Sequence, residues 1–319
     1  MTQDLPTTRQ GDEAIAPSSL EPAISFEFFP PKSAEMELRL WDAITRLAPL
    51  EPRFVSVTYG ADGSTRGRTH ATVARILKET ALTPAAHLTC VGAARGEVEE
   101  VARAYWDLGV RHIVALRGDA PQGEDGGRPH PEGFAYASDL VAGLRRVADF
   151  EISVAAFPEV HPEAASAEAD LDNLKRKLDA GACRAITQFF FDPACYLRFL
   201  DRARAAGITA PIVPGIFPIT NFPRTVAFAA KCGASVPDWL HGLFEGLDDD
   251  PASRNLVAAA TAAEQCRYLQ AHGVEEFHFY TLNRSEMTAA LVRMLRAPAT
   301  PWAEGAEGAR PRVFAGGAL

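Results

Sequence analysis

Short runs of β-branched and aromatic residues alternate along the chain with longer stretches in which apolar residues recur every three or four positions. The short runs predict buried strands, and the longer stretches predict amphipathic helices. The predicted strands are residues 23–29, 53–59, 85–90, 112–117, 152–157, 185–191, 211–217 and 276–282. The predicted helices are residues 34–47, 69–80, 97–108, 138–147, 168–180, 194–206, 224–232 and 253–272.

Glycines and an Asp-Pro pair mark helix ends. A glycine in a left-handed conformation commonly closes a helix, and four predicted helices are followed by one, at Gly109, Gly181, Gly207 and Gly273. Asp250-Pro251 predicts an N-cap followed by proline in the first turn of the last helix. Asp248 and Asp249 are therefore interpreted as a solvated turn and not as a metal site. The stretch from about 233 to 252 is expected to be irregular.

The order of these elements indicates the fold class. Eight strands alternating with helices predict an α/β protein, a (β/α)8 TIM barrel in a single domain. No G-x-G-x-x-G motif follows a strand, which argues against a dinucleotide-binding Rossmann domain. We assign the barrel to residues 22–297 and expect flexible tails at 1–21 and 298–319, which are poor in large apolar residues. Functional side chains should then lie at the C-terminal ends of the strands.

Composition narrows the class of protein further. The 319 residues are 47% hydrophobic and 23% charged, enough for a large core. A net charge of −9 without basic runs argues against nucleic acid as a partner. The five cysteines lie far apart and predict reduced thiols with no metal site. Neither a signal peptide nor an apolar stretch of membrane-spanning length is evident, so we expect a cytoplasmic protein with no membrane partner.

Glu27 is the first candidate for catalysis. It follows a strand pattern in which it shares a face with Ser25 and Phe29. A carboxyl group among aromatic residues is expected to have a raised pKa, which suits a general acid working near neutral pH. The alternative is a glutamate that reaches solvent at the rim or pairs with Lys32, and the local sequence favours neither.

Polar residues also stand at the ends of the next three strands. Thr58 ends the second strand, His87 lies in the third, and Arg117-Gly118-Asp119 ends the fourth. Taken singly, each of these residues is more often an ordinary turn residue or a hydrogen-bonded core histidine than part of a site. Gly118 would let the backbone approach a ligand closely, and residues 120–133 are expected to form a mobile cover.

The helix after the fifth strand carries the one basic cluster of this acidic chain. Its polar residues are Asp170, Asn173, Lys175, Arg176 and Lys177. Residues three and four apart share a helix face, so this face could hold a diphosphate, although a solvated face is the commoner meaning of such a run. Gln188, among apolar neighbours in the sixth strand, could recognise the edge of a heterocycle or could satisfy a backbone group.

Taken together, seven segments resemble the bacterial 5,10-methylenetetrahydrofolate reductases. They are SFEFFPPK (25–32), VSVTYG (55–60), HLTC (87–90), ALRGD (115–119), PEVHPE (158–163), ITQFFFD (186–192) and FHFYTLNR (277–284). The resemblance runs from about residue 23 to 297. It implies noncovalent FAD, reduced by NADH or NADPH, and ping-pong hydride transfer to 5,10-methylenetetrahydrofolate. The product, 5-methyltetrahydrofolate, would supply methyl groups for methionine synthesis. The family also implies a homo-oligomer.

The resemblance also implies roles for individual residues. Glu27 would be the general acid that opens the methylene bridge, and Asp119 would lie near the flavin N1 edge. FAD would be lined by Thr58, His87, Arg117, Gly118, Asp119, Tyr136, Ala137, His161, Asp170, Asn173, Arg176 and Lys177. Gln188 would contact the pterin, Phe228 would stack on nicotinamide or folate, and Arg284 would hold the folate. Arg224 stands where related enzymes often have a substrate-contacting glutamine, and the 120–133 loop is longer and more acidic than the family pattern.

Two other functions compete with this hypothesis. One is a flavin-free pterin-binding barrel that transfers a one-carbon unit, although a pterin has no diphosphate to occupy the basic face. The other is a catalytically silent folate-binding or scaffold module, against which the intact Glu27 and Asp119 argue. The sequence leaves the choice between NADH and NADPH open.

Overall fold

Nine parallel strands surrounded by helices form a (β/α)8 barrel in one domain, as the sequence predicts. The computed structural model describes residues 21–59, 66–118 and 130–297. The strands are β1 (Ala23–Phe28), β2 (Phe54–Val57), β3 (Pro84–Thr89), β4 (His112–Leu116), β5 (Glu151–Ala156), β6 (Arg184–Thr187), β7 (Ile212–Val213), β8 (Gly215–Ile216) and β9 (Glu276–Tyr280). The predicted tails lie outside these ranges except for Glu21, and so does the predicted cover loop except for residues 130–133.

Ten α-helices lie in the described part of the chain. They are α1 (Ala34–Leu47), α2 (Arg66–Glu79), α3 (Arg95–Leu108), α4 (Ala137–Val147), α5 (Ala167–Asp179), α6 (Pro193–Ala205), α7 (Phe222–Cys232), α8 (Asp238–Phe244), α9 (Pro251–Ala271) and α10 (Glu286–Arg296). Each of the four glycines expected to end a helix has a positive φ, between 79° and 116°. Asp250 caps α9 by accepting a hydrogen bond from the Ser253 backbone N–H at 3.0 Å.

The barrel closes through the seventh predicted strand, which Pro214 divides. Residues before the proline pair with β6, whereas Gly215 and Ile216 pair with β9. Proline has no N–H to donate, so the ladder breaks there, but its carbonyl still accepts the His278 N–H at 3.0 Å. The single predicted strand is therefore two short strands that pair with different neighbouring strands.

The structure contains two helices that the sequence pattern does not predict. The stretch expected to be irregular contains α8, whose seven residues are too few to show a helical period. The predicted helices end before the last strand, whereas α10 follows that strand and buries Leu291, Val292 and Leu295. Among the described residues, no helix combines the length and apolar character that a membrane crossing requires.

Ion pairs cover the end of the barrel where the strands begin. Arg184, only 3% exposed at its side chain, lies 2.5 Å from Glu151 and 3.6 Å from Glu276. Arg53 lies 2.6 Å from Glu276. These four residues stand at or just before the starts of β2, β5, β6 and β9, which leaves the opposite end of the barrel open for a site.

Candidate active site

A cavity of about 900 Å³ opens at the C-terminal ends of the strands. Its walls contain most of the residues that the sequence singled out. The predicted residues that line it are Glu27, His87, Arg117, Gly118, Tyr136, Ala137, His161, Asp170, Asn173, Arg176, Lys177, Gln188 and Phe228. Barrel closure thus brings residues from β1 to α7 into one site.

Four other predicted residues are placed differently. Asp119 lies outside the described residues. Thr58 is outside the cavity lining, and its N–H donates to the Phe28 carbonyl at 2.8 Å. Arg224 and Arg284 are exposed and also do not line the cavity, although Phe228 and Leu282 near them do.

Two histidines surround the Glu27 carboxylate. Nε2 of His87 lies 3.3 Å, and Nε2 of His278 3.6 Å, from Oε2 of Glu27. Burial raises the pKa of the Glu27 carboxyl, but the two imidazoles outweigh burial and lower that pKa to about 2. The raised pKa expected from the sequence is therefore wrong for this structure, as is a pairing with Lys32. The aromatic neighbours Phe26 and Phe28 belong to the core, while histidines from β3 and β9 face the carboxylate.

Hydrogen bonds hold this cluster in place. Nδ1 of His278 lies 2.7 Å from Oγ of Ser25, one of the residues expected to share a face with Glu27. The Glu27 carbonyl accepts the Thr281 hydroxyl at 2.6 Å. The Nε2 atoms of His87 and His278 are buried with no hydrogen-bond partner in the described structure. The cluster therefore presents a carboxylate and two unsatisfied ring nitrogens side by side.

Aromatic rings form the wall next to this cluster. Phe228 stacks on Phe189 with ring centroids 5.5 Å apart, and Phe217 lies 4.7 Å from Phe189. Phe228 is 45% exposed and is therefore free to contact a ligand. Gln188 also lines this part, and its side-chain carbonyl accepts the Phe189 N–H at 3.0 Å. The side-chain carbonyl of Gln188 therefore satisfies a backbone N–H group. This is the second of the two roles that the sequence allows for Gln188.

Cations collect along the α5 side of the cavity. Asp170, Asn173, Arg176 and Lys177 all line it, as their helical spacing predicts, whereas Lys175 pairs with Asp179 in solvent at 3.0 Å. Lys177 is buried and donates to the Ala155 carbonyl at 2.5 Å. Burial lowers the pKa of this ammonium to about 8, against the opposing charge of Asp170. The basic face thus lines the cavity, where Lys177 is buried and Arg176 is exposed.

The residues present fit FAD. A flat ring system bearing a diphosphate needs an apolar, partly aromatic wall and a cationic region, and this cavity supplies both. The volume of about 900 Å³ is large among ligand sites, which range from about 300 to 1,000 Å³.

Several lining residues went unpredicted. Tyr59, Glu163, Phe189, Phe217 and Tyr280 line the cavity, and His278 contacts Glu27 from the barrel interior. Alternation along the last strand puts His278 and Tyr280 on one face, a signal that could have found both. Phe217 follows the break at Pro214 and carries no such signal.

The chain is similar to known reductases over most of its length. A family model described as methylenetetrahydrofolate reductase matches residues 13–296. The 5,10-methylenetetrahydrofolate reductase of Pectobacterium carotovorum subsp. carotovorum is 54% identical over 272 residues, which cover 85% of this chain and 89% of the relative. The enzyme of that name from Escherichia coli (strain K12) is 55% identical over 272 residues, with 85% and 90% covered.

More distant proteins share parts of the similarity. Methylenetetrahydrofolate reductase (NADH) 1 of Arabidopsis thaliana is 36% identical over 272 residues, which cover 82% of this chain and 46% of the plant protein. Among solved structures, a Clostridium thermocellum protein that binds two copies of 5-methyl-5,6,7,8-tetrahydrofolic acid matches with a TM-score of 0.56. That match covers 86% of this chain and 94% of the other at 16% identity, so it supports the fold alone.

Proposed function

The chain belongs to the methylenetetrahydrofolate reductase family and is an oxidoreductase that reduces methylenetetrahydrofolate, and we propose that it does so as an FAD-dependent, NAD(P)H-oxidising enzyme. The substrate is 5,10-methylenetetrahydrofolate and the product 5-methyltetrahydrofolate, a methyl donor for methionine synthesis. The two half-reactions share one cavity and alternate in a ping-pong sequence.

One observation carries this proposal. A single cavity combines a partly buried carboxylate flanked by two imidazoles, an aromatic wall and a cationic helix face. A carboxylate and imidazoles suit proton transfer, and the cationic face suits a diphosphate. A flavin-free pterin enzyme would have no diphosphate to place against Arg176 and Lys177 in its cavity lining.

We expect cationic side chains, and a backbone segment that a ligand can approach closely, to hold the cofactor. Arg117, Arg176 and Lys177 would bind the diphosphate, and His87 would line the cofactor. Gly118 has a φ of 87°, a conformation that favours glycine and leaves room for a ligand beside the backbone. Bound FAD would supply the two-electron chemistry, accepting hydride from NAD(P)H and passing it to the folate.

Glu27 and its histidines would supply the proton that opens the methylene bridge. Because the two imidazoles stabilise the Glu27 carboxylate in the ligand-free cavity, Glu27 is ionised there and must gain a proton before it can act as the acid. A folate ring that fills the cavity displaces water and adds to the burial that raises the pKa of Glu27. Oε2 of Glu27 would then take up a proton and pass it to the substrate, directly or through water.

The remaining predicted residues complete the proposed site. Gln188 would contact the pterin, Phe228 would stack on nicotinamide or folate, and Arg224 and Arg284 would hold the folate from the rim. Thr58 and Asp119 stay predicted flavin contacts. A carboxylate at Asp119 would disfavour a negative charge on the flavin and favour a cationic substrate, so both effects would promote hydride transfer.

The purified protein tests this proposal directly. It should be yellow, NADH or NADPH should bleach it without oxygen, and methylenetetrahydrofolate should restore the colour. A colourless protein that gains no activity with added FAD would contradict the proposal. Stopped-flow reduction with each nicotinamide in turn identifies the reductant. We expect NADH, the reductant named in the plant relative.

We also expect FAD affinity to depend on the protonation of Lys177. An anionic diphosphate favours the charged ammonium, whose pKa is about 8 in the ligand-free cavity. FAD should therefore bind with constant affinity below that pH and progressively less tightly as pH rises through 8 to 9, by about 3- to 10-fold. Fluorescence titration of the apoprotein measures this dependence.

Two variants show whether Lys177 is responsible. Lys177→Gln should bind FAD more weakly at pH 7 and lose the pH dependence. Lys175→Gln, two residues away but paired with Asp179 in solvent, should keep both the affinity and the dependence. A dependence that persists in Lys177→Gln would remove Lys177 from the flavin site.

We further propose a cytoplasmic homo-oligomer whose catalytic domain spans residues 22–297. Size measurement of the purified protein tests the oligomeric state.

A further inference from the structure

Glu163 forms an ion pair with a cation that the proposed flavin site requires. Oε2 of Glu163 accepts a hydrogen bond from Nη2 of Arg117 at 2.5 Å, and both residues line the cavity. The pair joins the end of β4 to the loop between β5 and α5. The side chains are 39% exposed for Arg117 and 64% exposed for Glu163, so the pair lies at the rim, open to solvent.

The loop that carries Glu163 is held by its own contacts. The His161 N–H donates to Asp170 at 3.0 Å, and the Glu163 N–H donates to Nδ1 of His161 at 3.0 Å. Val160 has a φ of 79°, a strained conformation for a β-branched residue that persists only where surroundings impose it. The backbone that carries Glu163 is therefore held in place, and the Glu163 carboxylate pairs with Arg117.

The two other carboxylates near these cations accept hydrogen bonds from backbone N–H groups. Asp170 accepts the His161 N–H, and Asp139 accepts the Tyr136 N–H at 3.0 Å at the start of α4. The Glu163 carboxylate has Arg117 as its partner in the described structure. Arg117 also holds down the pKa of the Glu163 carboxyl, which is therefore charged at neutral pH.

We propose that Glu163 is an affinity-determining residue that competes with the flavin diphosphate for Arg117 and so weakens the binding of FAD. This inference rests on the proposed function, since it assumes that FAD occupies the cavity. A bound diphosphate must draw Arg117 away from Glu163 and then lie near a second negative charge. Both effects oppose binding, and both act only on the phosphate-bearing part of the ligand.

Titration of the apoprotein with two flavins tests the proposal. Riboflavin has the same ring system as FAD but no phosphate. Glu163→Gln should bind FAD about 3- to 10-fold more tightly than the parent protein, because an exposed ion pair and a nearby like charge are each worth little individually. Its affinity for riboflavin should be unchanged. Glu163→Ala should give the same result, because the negative charge is what both variants remove.

Glu35→Gln is the matched control. Glu35 pairs with Arg39 at 3.0 Å on α1, is 82% exposed and does not line the cavity, so its variant should bind both flavins like the parent. Unchanged or weaker FAD binding by Glu163→Gln and Glu163→Ala would overturn the proposal, as would an equal gain for FAD and riboflavin. If the parent binds neither flavin, the proposed function itself fails, a result distinct from a failure confined to Glu163.

Discussion

A Glu27→Gln variant is expected to reduce methylenetetrahydrofolate about 10²- to 10⁴-fold more slowly than the parent enzyme, the range typical of a lost general acid or base. Glutamine keeps the size of the side chain and its place beside His87 and His278, whose Nε2 atoms lie 3.3 and 3.6 Å from Oε2 of Glu27, but an amide cannot take up and deliver a proton as a carboxylate does. Bleaching of the flavin by NADH or NADPH needs no proton from this cluster and should stay nearly normal. Stopped-flow measurement of the two half-reactions separates the effects.

Two further measurements complete the test of Glu27: the flavin content of Glu27→Gln and the rates of a control variant. Glu27→Gln should still purify with flavin, because the proposed diphosphate contacts lie elsewhere, on Arg117 and α5. The Glu35→Gln variant should show normal rates in both half-reactions. Equal losses in both half-reactions of Glu27→Gln would contradict the assignment of Glu27 as the acid and would indicate a general disturbance of the cavity.

The sequence predicts the position of Glu27 but not its electrostatic surroundings. Alternation along β1 places Glu27 on the face of Ser25, and the structure confirms this through the Ser25–His278 contact. The direction of the pKa shift could not be predicted, because His87 and His278 come from β3 and β9, far away in the chain. Only closure of the barrel, which pairs Glu27 with Tyr280 in β9, brings those imidazoles to the carboxylate.

For the cationic face of α5, the sequence predicts which residues share the face but not what the face packs against. Helical spacing within α5 is local, so it correctly predicts that Asp170, Asn173, Arg176 and Lys177 share a face. That the face lines a cavity depends on where α5 packs, which single-sequence periodicity does not reveal. Glu163 lies in an irregular loop, where no period assigns a direction to its side chain, and its pairing with Arg117 emerges only from the fold.

The largest structural effect is expected at Gly215, where the barrel closes. A methyl group there would come within 2.6 Å of Cε2 and 2.9 Å of the hydroxyl of Tyr280, and would also collide with the Thr187 carbonyl. The Tyr280 hydroxyl donates to that same carbonyl at 2.7 Å. Gly215→Ala should therefore lower the free energy of unfolding by about 1–3 kcal/mol, the usual cost of overpacking. Denaturant unfolding should show a lower midpoint with an unchanged slope.

This substitution should also slow folate reduction, because Tyr280 lines the cavity and its ring lies 5.4 Å from that of His278, edge to face. Displacement of Tyr280 would move the imidazole beside Glu27. Gly96→Ala is the matched control: a methyl group at Gly96, in α3, meets no atom within 4 Å. Since alanine is preferred to glycine in helices, that variant should be at least as stable as the parent and fully active. If Gly215→Ala instead unfolds at the same denaturant concentration as Gly96→Ala, the barrel can adjust at its closing strand, and the position of Tyr280 does not depend on a glycine there.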